Sequence, residues 1–222
     1  MLAAPRFLPL SEQAALAYFA DEAAALRFAS LLRGRHEPWL VDVVQAYTSV
    51  AVFFTLTHID FPNAVQQLEQ WADQDLGAAP VSARCHRIPC CYERGMDLER
   101  VARQRNLTVD EVIRLHAGTE YTVYAIGFCP GFPYLGYLPE QLAGVPRLET
   151  PRLQVPAGSV GLTGRQTGIY TEARPGGWNI VGQTPLELVN VADGYFPLRT
   201  GDHVQFYRID ETEYAELQGQ RL

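Results

Sequence analysis

The sequence contains no lysine: all eighteen of its basic residues are arginine. That absence excludes a lysine Schiff base with pyridoxal phosphate, a P-loop lysine on nucleotide phosphates and biotin carried on a lysine amine. Anions must be met by arginine forks or backbone N–H groups instead. Cysteine is scarce, with four in 222 residues, at none of the metal-knuckle spacings and too sparse for a disulfide scaffold. Cys85, Cys90, Cys91 and Cys129 therefore read as free thiols. Zinc held by Cys85, His86, Cys90 and Cys91 is disfavoured, because that segment reads as one strand whose side chains diverge. No metal is expected on this chain. Long apolar runs are also lacking: the longest, Ser49 to Thr57, is far too short to span a bilayer. Met1 to Leu10 has one arginine and two prolines but no apolar core of a secretory signal, so a cytoplasmic location is expected.

What is present describes a folded chain. Hydrophobic residues make up 47% and charged residues 19%, values that exclude a disordered chain, a coiled coil or a fibrous repeat. Acidic residues outnumber basic ones 25 to 18, for a net charge of −7, which opposes non-specific binding to nucleic acid. The length allows one large or two small domains.

The texture of the chain favours two. Asp21 can cap a helix running to about Arg33, and Trp39 to Thr57, rich in Val, Phe and Thr, reads as extended. Pro62 and Asn63 open a second helix in which Val65, Leu68 and Trp71 follow helical spacing, ending near Gly77 and Pro80. The pattern predicts a small α/β domain over residues 1–82, with Leu76 to Ser82 as linker. Beyond it a strand, His86 to Tyr92, leads into two helices, the first capped by Asp97 and the second by a Thr108/Glu111 capping box. From Tyr121 onward only short strands are expected. More than half of the eighteen glycines fall between Gly127 and Gly182, so residues 83–222 read as a closed or nearly closed β architecture.

Several residues in the second half bear chemistry. His116 continues the stripe Val109, Val112, Ile113 to the end of its helix; it reads either as a buried structural imidazole or as an acid/base group poised between burial and the helix C-terminus. Pro130-Gly131 fits the centre of a type II turn. Around it Phe128, Phe132, Tyr134 and Tyr137 either plug the barrel or wall a ligand. Arg147 and Arg152 follow prolines at odd spacing and should diverge unless Pro151 marks a bend, so at most one of them reaches a pocket; either both form surface ion pairs or Arg152, the favoured one, reaches it, leading into Val155-Pro-Ala-Gly-Ser-Val-Gly161. Gln166, beside a hairpin tip at Gly164, either pairs with the complementary edge of an amide substrate or ties down the turn. Pro175-Gly-Gly-Trp178 is either an anion nest or a tight turn before a strand, the turn being expected. No nucleophile elbow, phosphate fingerprint or His/Glu metal motif is present.

Together Ile88-Pro-Cys-Cys-Tyr92, Glu111-Val-Ile-Arg-Leu-His116, Gly127-Phe-Cys-Pro-Gly-Phe-Pro-Tyr-Leu-Gly136, Val155-Pro-Ala-Gly-Ser-Val-Gly161, Gln166-Thr-Gly-Ile-Tyr170 and Pro175-Gly-Gly-Trp178 resemble the 5-oxoprolinase B-subunit family. That family, described by carboxyltransferase subdomains C and D, also takes in the kinase inhibitor KipI and allophanate hydrolase subunit 1. The resemblance implies an α+β fold, with a ferredoxin-like-type N-terminal domain and a cyclophilin-like β-barrel. It implies a non-autonomous subunit of an enzyme that opens 5-oxo-L-proline to L-glutamate at the expense of ATP, working with two companions, a cyclophilin-like C component and a separate A component. With no lysine here, ATP is expected to be shared with or held by those partners. The resemblance further implies His116, Gln166 and Tyr170 as catalytic groups, and Arg152, Arg147, Phe132, Tyr134, Ser159, Gly176 and Gly177 as substrate contacts. Cys90, Arg165 and Arg174 depart from its usual residues. Two other functions compete: a regulator docking on a sporulation-type histidine kinase through Phe132, Tyr134 and Trp178, and a carboxyltransferase-type or hydrolase-type subunit for urea or allophanate.

Overall fold

The computed structural model describes residues 5–73 and 83–222, and the chain divides into two compact units, Met1–Ser82 and Ala83–Leu222. The expected linker, Leu76 to Ser82, and the expected end of the second helix near Gly77 lie outside the described residues.

In the first unit β1 (Arg6–Ser11), β2 (Ala14–Tyr18), β3 (Leu40–Ala46) and β4 (Ser49–Phe54) form an antiparallel sheet in the order β1-β2-β4-β3. Burial along β4 alternates strictly, the period-two pattern of a strand with one face covered. Helices α1 (Glu22–Arg33) and α2 (Phe61–Ala72) supply the cover, placing Phe28, Leu32, Leu68 and Trp71 against Val50, Val52 and Phe54. Both start on aspartates whose carboxylates accept N–H bonds, Asp21 from Ala24 and Asp60 from Asn63, which satisfies amides that helix geometry leaves unpaired. Trp39 stacks on Trp71 at 5.4 Å.

The second unit is a seven-stranded barrel. Its strands are β5 (Cys85–Cys91), β6 (Glu120–Ile126), β7 (Pro133–Gly136), β9 (Ser159–Thr163), β10 (Gln166–Ile169), β12 (Asn179–Gln183) and β13 (His203–Ile209). They run β6-β13-β5-β12-β9-β10-β7, and β7 pairs with β6 to close the ring. Neighbours are antiparallel except β5 and β13, which run parallel with seven residues in continuous register. Helices α3 (Leu98–Arg105) and α4 (Val109–Ala117) pack with the barrel core through Val101, Val112 and Ile113. A separate ribbon pairs β8 (Arg152–Val155) with β11 (Arg174–Gly176), so Pro175 and Gly176 lie in a strand and not in the expected turn.

Two more expectations need correction. The chain after Tyr121 is not all strand, because α5 (Glu211–Leu217) follows β13 and carries an Asp210/Glu213 capping box. Asp97 stands at the start of α3 but makes no side-chain cap. Its carboxylate instead accepts the Ile180 N–H at 2.8 Å and an Arg152 guanidinium N–H at 2.8 Å, while its own N–H donates to the Ile180 carbonyl. A buried carboxylate with stronger donors in reach gives up the weaker local cap, and Asp97 thereby ties α3 to β12 and β8. Among the described residues no helix is long and apolar enough to cross a membrane.

Candidate functional site

The cleft that gathers most of the sequence-predicted residues has a volume of about 330 Å3 and is walled by Phe128, Phe132, Tyr134, Trp178 and Tyr170, with Pro151, Pro175, Gly176 and Gly177 completing it and Arg147 on its lining. Its apolar wall arises from the turn before β7. Phe132 N–H donates to the Cys129 carbonyl across Pro130 and Gly131, and Gly131 has φ +69°, the left-handed value a type II turn demands of its third residue. Side chains at 131 are further barred because a Cβ there would strike Val189. The turn aims Phe132 into a cluster of edge-on rings, 5.3 Å from Tyr170 and 5.5 Å from Trp178, with Tyr134 at 4.9 Å. These separations are those of favourable aromatic pairs.

Polar character comes from two sources. Tyr170 is 1% exposed, and burial raises its phenol above the ordinary tyrosine value, the Trp178 backbone amide and Arg147 opposing the shift. It therefore remains an O–H donor at neutral pH. Tyr134 is raised for the same first cause, again opposed by Arg147. Arg147 is exposed and, among the described residues, has no hydrogen-bond or ion-pair partner. An unneutralised guanidinium against an apolar wall is a receptor for a carboxylate or phosphate. A second hollow, beside Gly158, Thr184 and Glu187, has its carboxylate already spent on Arg221.

Six of the ten residues predicted from the sequence line this cleft: Phe132, Tyr134, Arg147, Tyr170, Gly176 and Gly177. Four do not. Arg152, the arginine expected to reach a pocket, is turned to Asp97 at 2.8 Å, and the free guanidinium is that of Arg147. The two arginines do part, though not by strand alternation, because β8 begins only at Arg152 and Arg147 lies in the preceding loop; the one that reaches the cleft is Arg147. Ser159 is buried on β9. Gln166 faces Gly136 and Thr163 in the strand register.

His116 is enclosed in the barrel, fully buried and stacked on Phe206 at 4.7 Å. Its Nδ1 is 2.8 Å from the Tyr92 hydroxyl and its Nε2 is 3.0 Å from the Thr167 hydroxyl. Thr167 gives its single hydrogen to the Gly161 carbonyl, so it must accept from Nε2–H, and Nδ1 must accept from Tyr92. That assignment fixes a neutral tautomer with every partner satisfied. Burial lowers the imidazole to about 3, far from the range useful for proton transfer at neutral pH.

Phe128, Pro151, Pro175 and Trp178 complete the cleft beyond the predicted site residues. Pro151 and Trp178 had a signal, as a potential bend beside Arg152 and as the ring after two glycines. Phe128 had one too, as a member of the aromatic group around Pro130-Gly131, but its φ of +70° is one that sequence assigns to glycine.

Gly176 is needed for the site's shape, because a Cβ at this position would collide with the Tyr170 phenol. Gly176→Ala is expected to push that ring off its place and to destabilise the barrel by about 1–3 kcal/mol. Chemical denaturation checks the loss, and Gly177→Ala, whose Cβ would meet Pro151 at an ordinary 3.6 Å, is the control expected to change little.

Comparison with known proteins places this geometry in context. Residues 5–195 match the family model described as "Carboxyltransferase domain, subdomain C and D". The chain is 38% identical over 190 residues to the 5-oxoprolinase B subunit of Bacillus subtilis, covering 80% of this chain and 79% of that one. It is 41% identical over 209 residues to the 5-oxoprolinase B subunit of Haemophilus influenzae, covering 90% and 95%. Among solved structures, TTHA0988 in its P6522 crystal form superposes with a TM-score of 0.76 at 32% identity over 89% of this chain, which spans only 40% of that longer one.

Proposed function

Because the chain belongs to the carboxyltransferase domain, subdomain C and D family and is related over most of its length to 5-oxoprolinase B subunits, we propose that it is the B subunit of an ATP-dependent 5-oxoprolinase. The reaction is 5-oxo-L-proline, ATP and water to L-glutamate, ADP and phosphate. The observation that carries this reading is the pairing of one free guanidinium, Arg147, with an aromatic wall and the Tyr170 hydroxyl. A small lactam bearing a carboxylate presents the matching groups: an anion for Arg147, a ring face for the aromatics and a carbonyl that accepts an O–H. In this reading Arg147 receives the substrate carboxylate, Tyr170 donates to the lactam carbonyl, and the rings exclude water.

The chain is one component of the enzyme. With no lysine and no phosphate-binding loop it lacks the usual means of cradling ATP, so the nucleotide is shared with or held by the companion subunits. The cleft is open to one side, and a cyclophilin-like C component closes it, with a separate A component completing the assembly. The greater length of TTHA0988 supports a need for further polypeptide around this fold. The C-terminal barrel is the cyclophilin-like module of the pair, and the cytoplasm, where ATP is available, is its location.

Reconstitution with the companion subunits tests the reading through substrate-dependent ATP hydrolysis over 5-oxoproline, urea and allophanate. Turnover with 5-oxoproline alone is expected; turnover only with urea or allophanate would reassign the substrate. Arg147→Ala is expected to raise KM for 5-oxoproline roughly 10- to 100-fold by removing a charge-assisted pair. Arg147→Lys should recover part of that loss, with unfolding unchanged because Arg147 is exposed. An unaltered KM in Arg147→Ala would remove the carboxylate assignment.

A further inference from the structure

We propose that Phe128 is a specificity-determining residue of the cleft, a rigid aromatic cover held in left-handed backbone conformation against the flat face of an anionic lactam whose carboxylate Arg147 receives. This deepens the 5-oxoprolinase reading and rests on it. Phe128 has φ +70°, a conformation that a bulky side chain adopts only at a cost and that glycine adopts freely. Its ring is 60% exposed, whereas Phe132, Tyr170 and Trp178 are between 1% and 5%. Phe132 already makes edge-on contacts with both Tyr170 and Trp178, and Phe128 adds only its own edge-on contacts to Phe132 at 5.4 Å and to Tyr170 at 6.1 Å. Packing therefore returns little for a large apolar ring in a strained position, and most of its surface faces the cleft mouth or solvent.

The strain is imposed by neighbours that fix the loop. Gly127 N–H bonds the Phe132 carbonyl, Cys129 N–H bonds the Gly127 carbonyl, and the Thr171 hydroxyl donates to the Pro130 carbonyl at 2.7 Å. Gly131 against Val189 locks the far side. A ring mounted this firmly loses little freedom when a ligand arrives, which is where a pre-placed aromatic gains affinity. A flat apolar surface beside a free guanidinium selects planar rings carrying a negative charge over small uncharged amides.

The test uses Phe128→Gly and Phe128→Tyr in the enzyme assembled with its companion subunits, and thermal unfolding of the same chains. Phe128→Gly is expected to raise KM for 5-oxoproline about tenfold, with kcat changed less than about twofold. Its thermal midpoint should be equal to or above that of the parent, since glycine relieves the strained φ. Phe128→Tyr should restore KM. An unchanged KM in Phe128→Gly, or a KM in Phe128→Tyr as high as in Phe128→Gly, overturns the proposal while leaving the enzyme reading intact. A midpoint lowered as far as that of Phe132→Ala also overturns it, by making Phe128 a core residue. Absence of 5-oxoproline turnover by the parent assembly removes both readings together.

Discussion

Replacing Asp97 with alanine is expected to destabilise the barrel by about 3 kcal/mol, far more than a lost helix cap. Its carboxylate is buried and holds both the Ile180 amide and the Arg152 guanidinium. Truncation strands an amide and a largely enclosed cation, and breaking a buried pair from one side costs about 3–5 kcal/mol. Arg152 keeps 26% of its side-chain surface exposed, which places the loss at the lower end. Its Nη1 is already buried with no partner among the described residues, so none of them stands ready as an alternative acceptor. Arg152→Met should cost less, because it removes the charge and leaves Asp97 its bond to Ile180. A double-mutant cycle on the two, read by chemical denaturation, is expected to give a coupling of about 2 kcal/mol; a loss below about 1 kcal/mol in Asp97→Ala would contradict this account.

The second large effect is a pH dependence set by His116. Burial holds its folded imidazole at about 3, whereas an unfolded histidine titrates near 6.5. Between those values the unfolded chain binds the additional proton, so stability falls as pH drops, by about 1.4 kcal/mol per pH unit. The contribution is full above about pH 6.5, reduced by about 2 kcal/mol at pH 5 and lost as pH approaches 3. His116→Gln has an amide for Tyr92 and Thr167 but no titration, so its unfolding free energy should decline less steeply between pH 6.5 and 5 while being lower at pH 7. Identical slopes in parent and variant over that interval would exclude a neutral, proton-refusing imidazole. The same measurement separates a structural His116 from an acid/base group, since the latter would titrate close to neutrality.

Local signals carried most of the architecture. The Thr108/Glu111 box, the Asp21 cap, the proline at the start of α2 and the hairpin at Gly164 each depend on residues within a few positions of one another, and each formed as its chemistry dictates. The stripe through His116 correctly marked its side chain as buried. What local pattern cannot contain is competition from distant residues. Asp97 gave up its cap for an amide 83 positions away, and Arg152 was drawn from the pocket by that same carboxylate. Family motifs identified the segments around the cleft but not the side chains within it, because a motif also contains residues that only hold the barrel together. His116, Ser159 and Gln166 were expected at the site, and none of them lines the cleft. The overlooked capping box of α5 was legible in Asp210 and Glu213.

The parallel pairing of β5 with β13 has a consequence for how the protein is made. Strand β13 sits between β5 and β6, and its partner residues on β5 precede it by 118 positions, as in His203 opposite Cys85. During synthesis the ring therefore stays open, with two strand edges bare, until β13 itself has left the ribosome. Closure then joins the most separated segments of the unit, a slow kind of event because loop entropy must be overcome before contacts form. The first unit, whose strands pair within some fifty residues, can fold while the second is still being translated.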